Sequence, residues 1–90
     1  MDMGYEVELE TAAAKSLSRI PAGDRRRLTS KINALAADPR PDGCTKLSGF
    51  TNAWRVRVGN YRIVYIVDDT VRVVTITRIG KREDIYRRRR

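Results

Sequence analysis

The sequence contains no histidine and only one cysteine, Cys44, so two residue types that carry much enzyme chemistry are missing or nearly missing. Any proton transfer must therefore use a side chain other than imidazole. One cysteine excludes an intramolecular disulfide, and this composition is typical of the reducing cytoplasm. Asp68 and Asp69 are adjacent carboxylates, but they fall in a predicted turn, where aspartate is common. We therefore expect no metal ion and no cofactor.

The sequence also lacks a long apolar segment. Its longest apolar run covers residues 63–67, whereas about 20 apolar residues are needed to cross a bilayer. The first ten residues, MDMGYEVELE, are acidic and strand-like, with neither the basic start nor the apolar centre of a secretory signal. We expect a cytoplasmic protein with no membrane partner.

Cationic residues outnumber acidic ones, mainly in the second half of the chain. The net charge is +8; residues 1–54 hold 8 basic and 7 acidic residues, whereas residues 55–90 hold 11 and 4. Such a field attracts nucleic acid, anionic lipid or an acidic protein. Fifteen of the 19 cations are arginine, whose planar guanidinium binds phosphate oxygens in pairs and stays charged when buried. The composition favours fixed contacts to phosphate over the simpler alternative of a solubilising surface.

The first part of the chain predicts one strand followed by two helices. Apolar and acidic residues alternate through residues 5–10, as in a strand with one buried face. An alanine-rich helix begins at Thr11 and is interrupted by Pro21. Asp24 then caps a second helix, which two later prolines end. The apolar positions of the two helices are Ala13, Leu17 and Ile20, then Leu28, Ile32, Leu35 and Ala36.

The remainder of the chain predicts strands. Residues 40–53 are predicted to form an irregular loop, and three strands follow, over residues 54–58, 61–67 and 71–79. Gly59-Asn60 is a two-residue hairpin signal, and a short turn or helix over residues 80–86 completes the order βααβββ(α). We expect one domain over residues 1–90, of the α+β class, with a helical pair packed on one face of an antiparallel sheet. The opposite face of the sheet stays uncovered.

Several functional candidates are predicted to share that uncovered face. Because successive side chains of a strand alternate, Arg55 and Arg57 point away from the apolar residues of their strand. Arg62 lies across the turn at the head of an apolar strand, where a charged residue that is nearly buried usually has a functional role. After the last strand the chain returns with Lys81, Arg82 and Tyr86. A bound phosphodiester would neutralise this cluster of like charges, whereas the alternative is a solvated strand face with Tyr86 packed in the core.

A family resemblance rests on three segments: KLSG at residues 46–49, WRVRVGNYRIVY at 54–65 and RIGKREDIYR at 78–87. With the helical pair and the order of strands, they make the chain resemble the RelE/ParE superfamily of toxins from type II toxin–antitoxin systems, and its RelE-like branch in particular. The resemblance spans nearly the whole chain and implies the microbial-ribonuclease-like fold. It also implies an endoribonuclease, an mRNA interferase that cuts mRNA in the ribosomal A site and so inhibits translation.

The resemblance also implies which residues act. The family uses two basic residues on the hairpin strand, an arginine after the turn, and an arginine and a tyrosine near the C-terminus, which match Arg55, Arg57, Arg62, Arg82 and Tyr86. RelE itself has lysines at the first two of these positions. The arginines found here can hold phosphate but carry protons poorly, because their pKa stays above about 12. Lys46 and Lys81 are further candidates for phosphate binding.

The implied reaction begins with the 2′-OH of the mRNA attacking its own neighbouring phosphorus, so the substrate supplies the nucleophile. We assign Arg62 to the non-bridging oxygens of the transition state and Arg82 to the leaving 5′-oxygen. Arg55 and Arg57 would clamp phosphate. Tyr86 would be the base, in a cationic setting that lowers the pKa of its phenol, or would stack on a nucleobase.

Two other functions stay open at this point. One is a ParE-like inhibitor of DNA gyrase, and the other is a non-catalytic nucleic-acid-binding module; the set of four arginines and Tyr86 favours the nuclease. The resemblance implies a cognate, RelB-like antitoxin that is partly disordered and presents an acidic or amphipathic segment. The ribosome and mRNA are the other expected partners. Binding of the toxin–antitoxin complex to its own promoter DNA is left open.

Overall fold

The computed structural model describes residues 4–81 of the chain, which form two helices and a five-stranded sheet. In chain order the elements are β1 (Glu6–Leu9), α1 (Thr11–Ser18), α2 (Ala22–Ala34), β2 (Thr45–Lys46), β3 (Ala53–Val58), β4 (Tyr61–Asp68) and β5 (Val73–Lys81). The strands lie in the order β1-β5-β4-β3-β2. The predicted α+β class, with two helices on a mostly antiparallel sheet, is confirmed.

The pairing of β1 differs from the prediction of a wholly antiparallel sheet. Glu6 pairs with Val73 and Leu9 with Ile76, and the two strands run parallel. The alternation in residues 5–10 indicates a strand with one buried face, but it carries no information about its partner. The neighbours β5 with β4 and β4 with β3 are antiparallel as expected, and β2, which the sequence did not predict, pairs antiparallel with β3.

Four strand boundaries also need correction, one of them the end of β4, which lies at Asp68 instead of residue 67. The loop predicted over residues 40–53 contains the two-residue strand β2, and β3 already begins at Ala53. The last strand begins at Val73 instead of residue 71, and it continues to Lys81. The turn before it is longer because the Asp68 carboxylate accepts hydrogen bonds from the backbone N–H groups of Thr70 and Val71, at 3.0 and 3.3 Å. Arg72 then has a positive φ of 60°, which is incompatible with a strand.

The second helix starts earlier than predicted. Its N-cap residue is Pro21, with φ −54° and ψ 147°, and Asp24 lies inside the first turn. Proline suits the start of a helix because its φ is fixed and the backbone N–H it lacks would have no partner there. Asp24 faces the positive end of the helix dipole and forms an ion pair with Arg27. Asp24 therefore stabilises the first turn without capping it.

The core lies between the helices and one face of the sheet. The largest fully buried side chains are Tyr65, Leu28, Leu35, Ile63, Ile76, Val67 and Val74. Tyr65 reaches across this layer, and its hydroxyl donates a hydrogen bond of 2.7 Å to the carbonyl of Pro39. Burial raises the pKa of the Tyr65 phenol well above its ordinary value. Within residues 4–81, no helix has the length and hydrophobicity needed to cross a membrane.

Candidate functional site

The β3–β4 hairpin fixes the positions of three candidate arginines. Of its two turn residues, Gly59 has a positive φ of 60° and Asn60 does not, which is the pattern of a type II′ turn. The positive φ favours glycine at this position; a Cβ there would lie 3.3 Å from Nη2 of Arg27 on α2, at the end of an exposed side chain that can move aside. The turn sets a register in which Arg57 lies directly opposite Arg62.

This register gathers three arginines on the open face of the sheet. Ile63 and Tyr65 of β4 are fully buried beneath the helices, so the residues that alternate with them face the other way. Arg62 is one of these residues and pairs with Arg57, while Val64 is the next and pairs with Arg55. We call the surface formed by Arg55, Arg57 and Arg62 the arginine face.

The closest pair on the arginine face is Arg57 with Arg62. In a hairpin with a two-residue turn, the residues next to the turn form a hydrogen-bonded pair, so Arg57 and Arg62 form the following, non-hydrogen-bonded pair. The Cβ atoms of such a pair are about 4.5–5.5 Å apart. Like charges placed directly opposite each other destabilise a sheet. An anion held between the two guanidinium groups would remove that repulsion.

The three arginines differ in burial. Arg62 has only 7% of its surface exposed, and among residues 4–81 it is the one charged residue that is buried. Arg55 is half-buried, and Arg57 is exposed. Arg55 and Arg62 also interact with other groups of the protein. The arginine face thus combines a buried cation, Arg62, with an exposed cation, Arg57, whose side chain can adjust its position to a ligand.

A fourth arginine, which sequence reasoning did not single out, borders this surface. Arg78 of β5 pairs with Val64 and is exposed, so it lies on the same side of the sheet as Arg55. Its position depends on the irregular register of β4 and β5 between Val64 and Tyr65. Alternation within β5 alone could not have predicted it, because the irregularity shifts the strand by one residue.

The two candidate lysines lie elsewhere. Lys46 pairs with Trp54, and Lys81 pairs with Tyr61. Paired residues point to the same side of a sheet, and both aromatic partners belong to or pack against the core. The register therefore directs Lys46 and Lys81 to the margins of the helix-covered side. It does not bring them to the arginine face.

The remaining two candidates, Arg82 and Tyr86, lie outside the described residues. The turn or helix predicted over residues 80–86 also falls largely outside them. The roles assigned to Arg82 and Tyr86 stay predictions.

A crevice of about 300 Å³ opens next to the arginine face, at the edge of β3. Its walls are Lys31, Asp42, Gly43, Thr45, Arg55, Val56 and Arg57. Sequence reasoning missed Lys31 and Asp42 as candidates. Lys31 lies between Leu28 and Ile32 of the apolar helical stripe, so helical periodicity places it at the border of the stripe, facing the sheet edge. That periodicity is the signal that could have found Lys31.

The adjacent aspartates at the end of β4, Asp68 and Asp69, have structural partners, as a turn position predicts. The Asp69 carboxylate accepts hydrogen bonds from the Tyr5 hydroxyl, at 2.6 Å, and from Arg40, at 2.8 Å. These bonds lower the pKa of Asp69, and the same contact raises the pKa of Tyr5. In the part of the chain that the structure describes, no three histidine, cysteine, aspartate or glutamate residues come together as metal ligands could.

Comparison with known proteins places this fold among bacterial and archaeal toxins. The archaeal RelE in the crystal structure of a RelE–RelB complex from Pyrococcus horikoshii has a TM-score of 0.79 and 28% identity, covering 89% of this chain and 97% of that one. Toxin RelG of Mycobacterium tuberculosis is 31% identical, over 96% of this chain and 100% of its own length. The mRNA interferase toxin RelE of Escherichia coli is 29% identical, over 90% of this chain and 86% of its own.

The fold and its arginine face therefore define a small toxin of a toxin–antitoxin system. Residues 7–86 match the model of the ParE toxin of the type II toxin–antitoxin system parDE. The chain belongs to this family, within the RelE/ParE superfamily, and its similarity to RelE and RelG toxins places it on the RelE-like side.

Proposed function

We propose that this toxin is a ribosome-dependent endoribonuclease, which cuts mRNA in the ribosomal A site and thereby inhibits translation. The observation that carries the proposal is the cross-strand pair of Arg57 with the buried Arg62, on a face that the helices leave open. Two like charges fixed opposite each other favour an anionic ligand. The name of the Escherichia coli relative, an mRNA interferase, supports the same activity at the level of the family.

In the proposed reaction the protein supplies orientation and positive charge. The 2′-OH of the mRNA attacks the adjacent phosphorus, and the 5′-oxygen of the next nucleotide leaves. Arg62 stabilises the charge that develops on the non-bridging oxygens, because burial holds its guanidinium in one place before the reaction begins. Arg55 and Arg57 clamp the phosphate in the ground state. Arg82 is assigned to the leaving oxygen, and Tyr86 to the base or to stacking on a nucleobase.

Dependence on the ribosome follows from what this site lacks. The chain has no histidine, so the arginine face provides cations but no ordinary base with a pKa near neutrality. Orientation of the 2′-OH must then contribute much of the rate, and a well-oriented intramolecular attack gains several kcal/mol over an unoriented one, up to roughly 11. The decoding site would supply that orientation. Naked RNA should be cut poorly.

The proposal includes a cognate antitoxin as the protein partner. The Pyrococcus horikoshii relative was solved as a complex with RelB. An acidic or amphipathic segment that covers the arginine face would neutralise the Arg57–Arg62 pair and exclude RNA from it.

A second candidate function is inhibition of DNA gyrase. The family model that the chain matches is that of the ParE toxin, which favours this reading over a non-catalytic nucleic-acid-binding module. The arginine face favours the nuclease, because a protein that blocks another protein does not need a buried cation opposite an exposed one.

The test is to map the 5′ ends of cellular mRNA after brief induction of the toxin. The nuclease should create new ends at fixed positions within codons, and these ends should vanish when translation is blocked beforehand. A gyrase inhibitor should instead trap broken DNA, and a binding module should leave both nucleic acids intact. With purified programmed ribosomes, a chelator added after toxin binding should leave the rate unchanged, because arginines supply the positive charge.

A further inference from the structure

The crevice beside the arginine face has the composition of a phosphate site. Three cations line it: Lys31 from α2, and Arg55 and Arg57 from β3. They come from two elements that pack side by side, so the fold holds them around one space of about 300 Å³. One carboxylate, Asp42, shares the walls, which leaves the crevice cationic when all four groups are charged.

The backbone at the edge of β3 adds a hydrogen-bond donor to this crevice. β2 ends the described sheet, and its pairing with β3 reaches no further than Thr45 opposite Arg55. Since Arg57 and Arg62 form a non-hydrogen-bonded pair, the N–H and C=O of Arg57 point away from β4, toward the crevice. A backbone N–H beside cationic side chains is a common arrangement for binding anions.

The crevice and the arginine face share Arg55 and Arg57, so one strand of RNA could occupy both. Two positions along a strand span about 7 Å, which is comparable to the separation of neighbouring phosphates in a single strand. We propose that the crevice binds the phosphate next to the one that is cleaved, with Lys31 as a binding residue. This inference rests on the proposed function, because it assumes that RNA occupies the arginine face.

The probes are two RNAs made uncleavable by 2′-O-methylation, a dinucleotide with one phosphate and a trinucleotide with two. Binding to the full-length toxin is followed by changes in backbone amide resonances. The trinucleotide should bind wild-type toxin about threefold to tenfold more tightly than the dinucleotide, and it alone should shift the amides of Gly43 and Thr45. The Lys31→Ala variant should lose this advantage but keep the dinucleotide affinity.

Three further variants sharpen the test. Lys31→Arg should retain most of the trinucleotide advantage because it preserves the charge, which separates loss of a contact from disturbance of α2. Asp42→Asn should increase trinucleotide affinity because it removes a repelling carboxylate. Lys15→Ala is the control: Lys15 is an exposed helical lysine, whereas Lys31 is half-buried, and Lys15 lies on α1, which packs on β5. It should behave as wild type.

Salt dependence gives an independent readout. Each phosphate contact to single-stranded RNA contributes about 0.7 to the slope of log affinity against log salt concentration. The slope for the trinucleotide should therefore fall by about that amount in Lys31→Ala, and the slope for the dinucleotide should not change. On programmed ribosomes, Lys31→Ala should raise the toxin concentration needed for half-maximal cleavage while leaving the maximal single-turnover rate unchanged.

The outcomes separate this inference from the function on which it rests. If Lys31→Ala keeps the full trinucleotide advantage while wild-type toxin cuts ribosome-bound mRNA, the crevice site is wrong and the proposed function stands. If an acidic antitoxin peptide, but neither RNA, shifts the crevice amides, the occupant is protein and the inference is overturned. If wild-type toxin neither binds the probes nor cuts mRNA on ribosomes, both proposals fail together.

Discussion

The helix-covered side of the sheet and its open side are made from the same strands but hold different chemistry. On the covered side of β4, Ile63, Tyr65 and Val67 are fully buried. One residue away along the same strand, Arg62 faces Arg57 on the open side, where repulsion between like charges is unfavourable for the sheet. The covered side can carry the stability of the fold while the open side carries a cluster that a sheet selected for stability alone would avoid.

The largest expected effect tests the covered side. Ile63→Ala removes a fully buried side chain and should lower the free energy of unfolding by about 2–5 kcal/mol, because it creates a cavity as well as losing apolar contacts. Urea unfolding followed by tryptophan fluorescence measures the change. Val64→Ala, at the neighbouring half-buried position on the open side, should cost clearly less. Equal losses in the free energy of unfolding at the two positions would mean that both sides of the sheet stabilise the fold to the same extent.

The next effect tests the open side. Arg62→Ala should slow single-turnover cleavage on programmed ribosomes by roughly 10²-fold or more while affinity for the ribosome changes little, because its charge is needed mainly in the transition state. We expect the same pattern for Arg82→Ala. Arg55→Ala and Arg57→Ala should lose affinity as well as rate, since they clamp phosphate before the reaction.

Arg78→Ala is the matched control for Arg62→Ala, because Arg78 is also an arginine on the open side but is exposed. It should reduce affinity modestly and leave the maximal rate near that of wild type. Each variant must first be shown to fold and to bind antitoxin. A folded Arg62→Ala protein that cleaves as fast as the parent would move the gyrase and binding-module readings ahead of the nuclease.

A smaller effect concerns a polar contact within the covered side. Tyr65→Phe removes the hydroxyl that donates to the Pro39 carbonyl, and it should lower the free energy of unfolding by about 1–2 kcal/mol because the buried carbonyl loses its partner. Cleavage per folded molecule should be unchanged. Denaturant unfolding and the ribosome assay together check both statements. A lower maximal cleavage rate in the folded variant would mean that the covered side also contributes to the activity of the open side.

The smallest effect concerns the turn that joins β4 to β5. Hydrogen bonds from Tyr5 and Arg40 hold the pKa of Asp69 below its ordinary value, so the fold favours the ionised carboxylate. This contribution to stability is fully present above about pH 3.9, the usual pKa of an unfolded aspartate, and is lost as pH falls through the lower pKa of the folded protein. Urea midpoints between pH 2 and 6 should depend less on pH in Asp69→Asn. High salt should shrink the difference, because the ion pair is exposed.

The hairpin and its arginines were the most predictable part of the molecule. Alternation along residues 54–58 and the Gly59-Asn60 signal are local features, and they fix which side chains share a face. Arg62 could be singled out because a charge at the head of an apolar strand conflicts with its surroundings. These predictions needed only neighbours in sequence.

The rest depended on contacts between distant segments. The parallel partner of β1 and the place of Arg78 follow from strand register, which no local pattern reveals. Lys46 was a candidate because it lies in the KLSG segment of the family resemblance, and Lys81 because the chain was predicted to return to the arginines after Gly80. Their pairing with Trp54 and Tyr61 directs both to the margins of the helix-covered side. The crevice at Lys31 requires α2 and the loop before β2 to meet at the edge of β3, which is a property of packing alone.

The parallel pairing of β1 with β5 has a consequence for how the toxin is made. β1 can pair only after β5 has been made, although the two strands are far apart in the sequence. Contacts between such distant segments slow folding because the intervening loop must be closed first. Helix α1 also lacks its main packing partner until then, because it packs mainly against β5. During translation, the sheet cannot close until residues 73–81 have been synthesised and released. Incomplete nascent chains therefore carry the arginines of the hairpin without β5, the strand whose Gly80 pairs with Arg62.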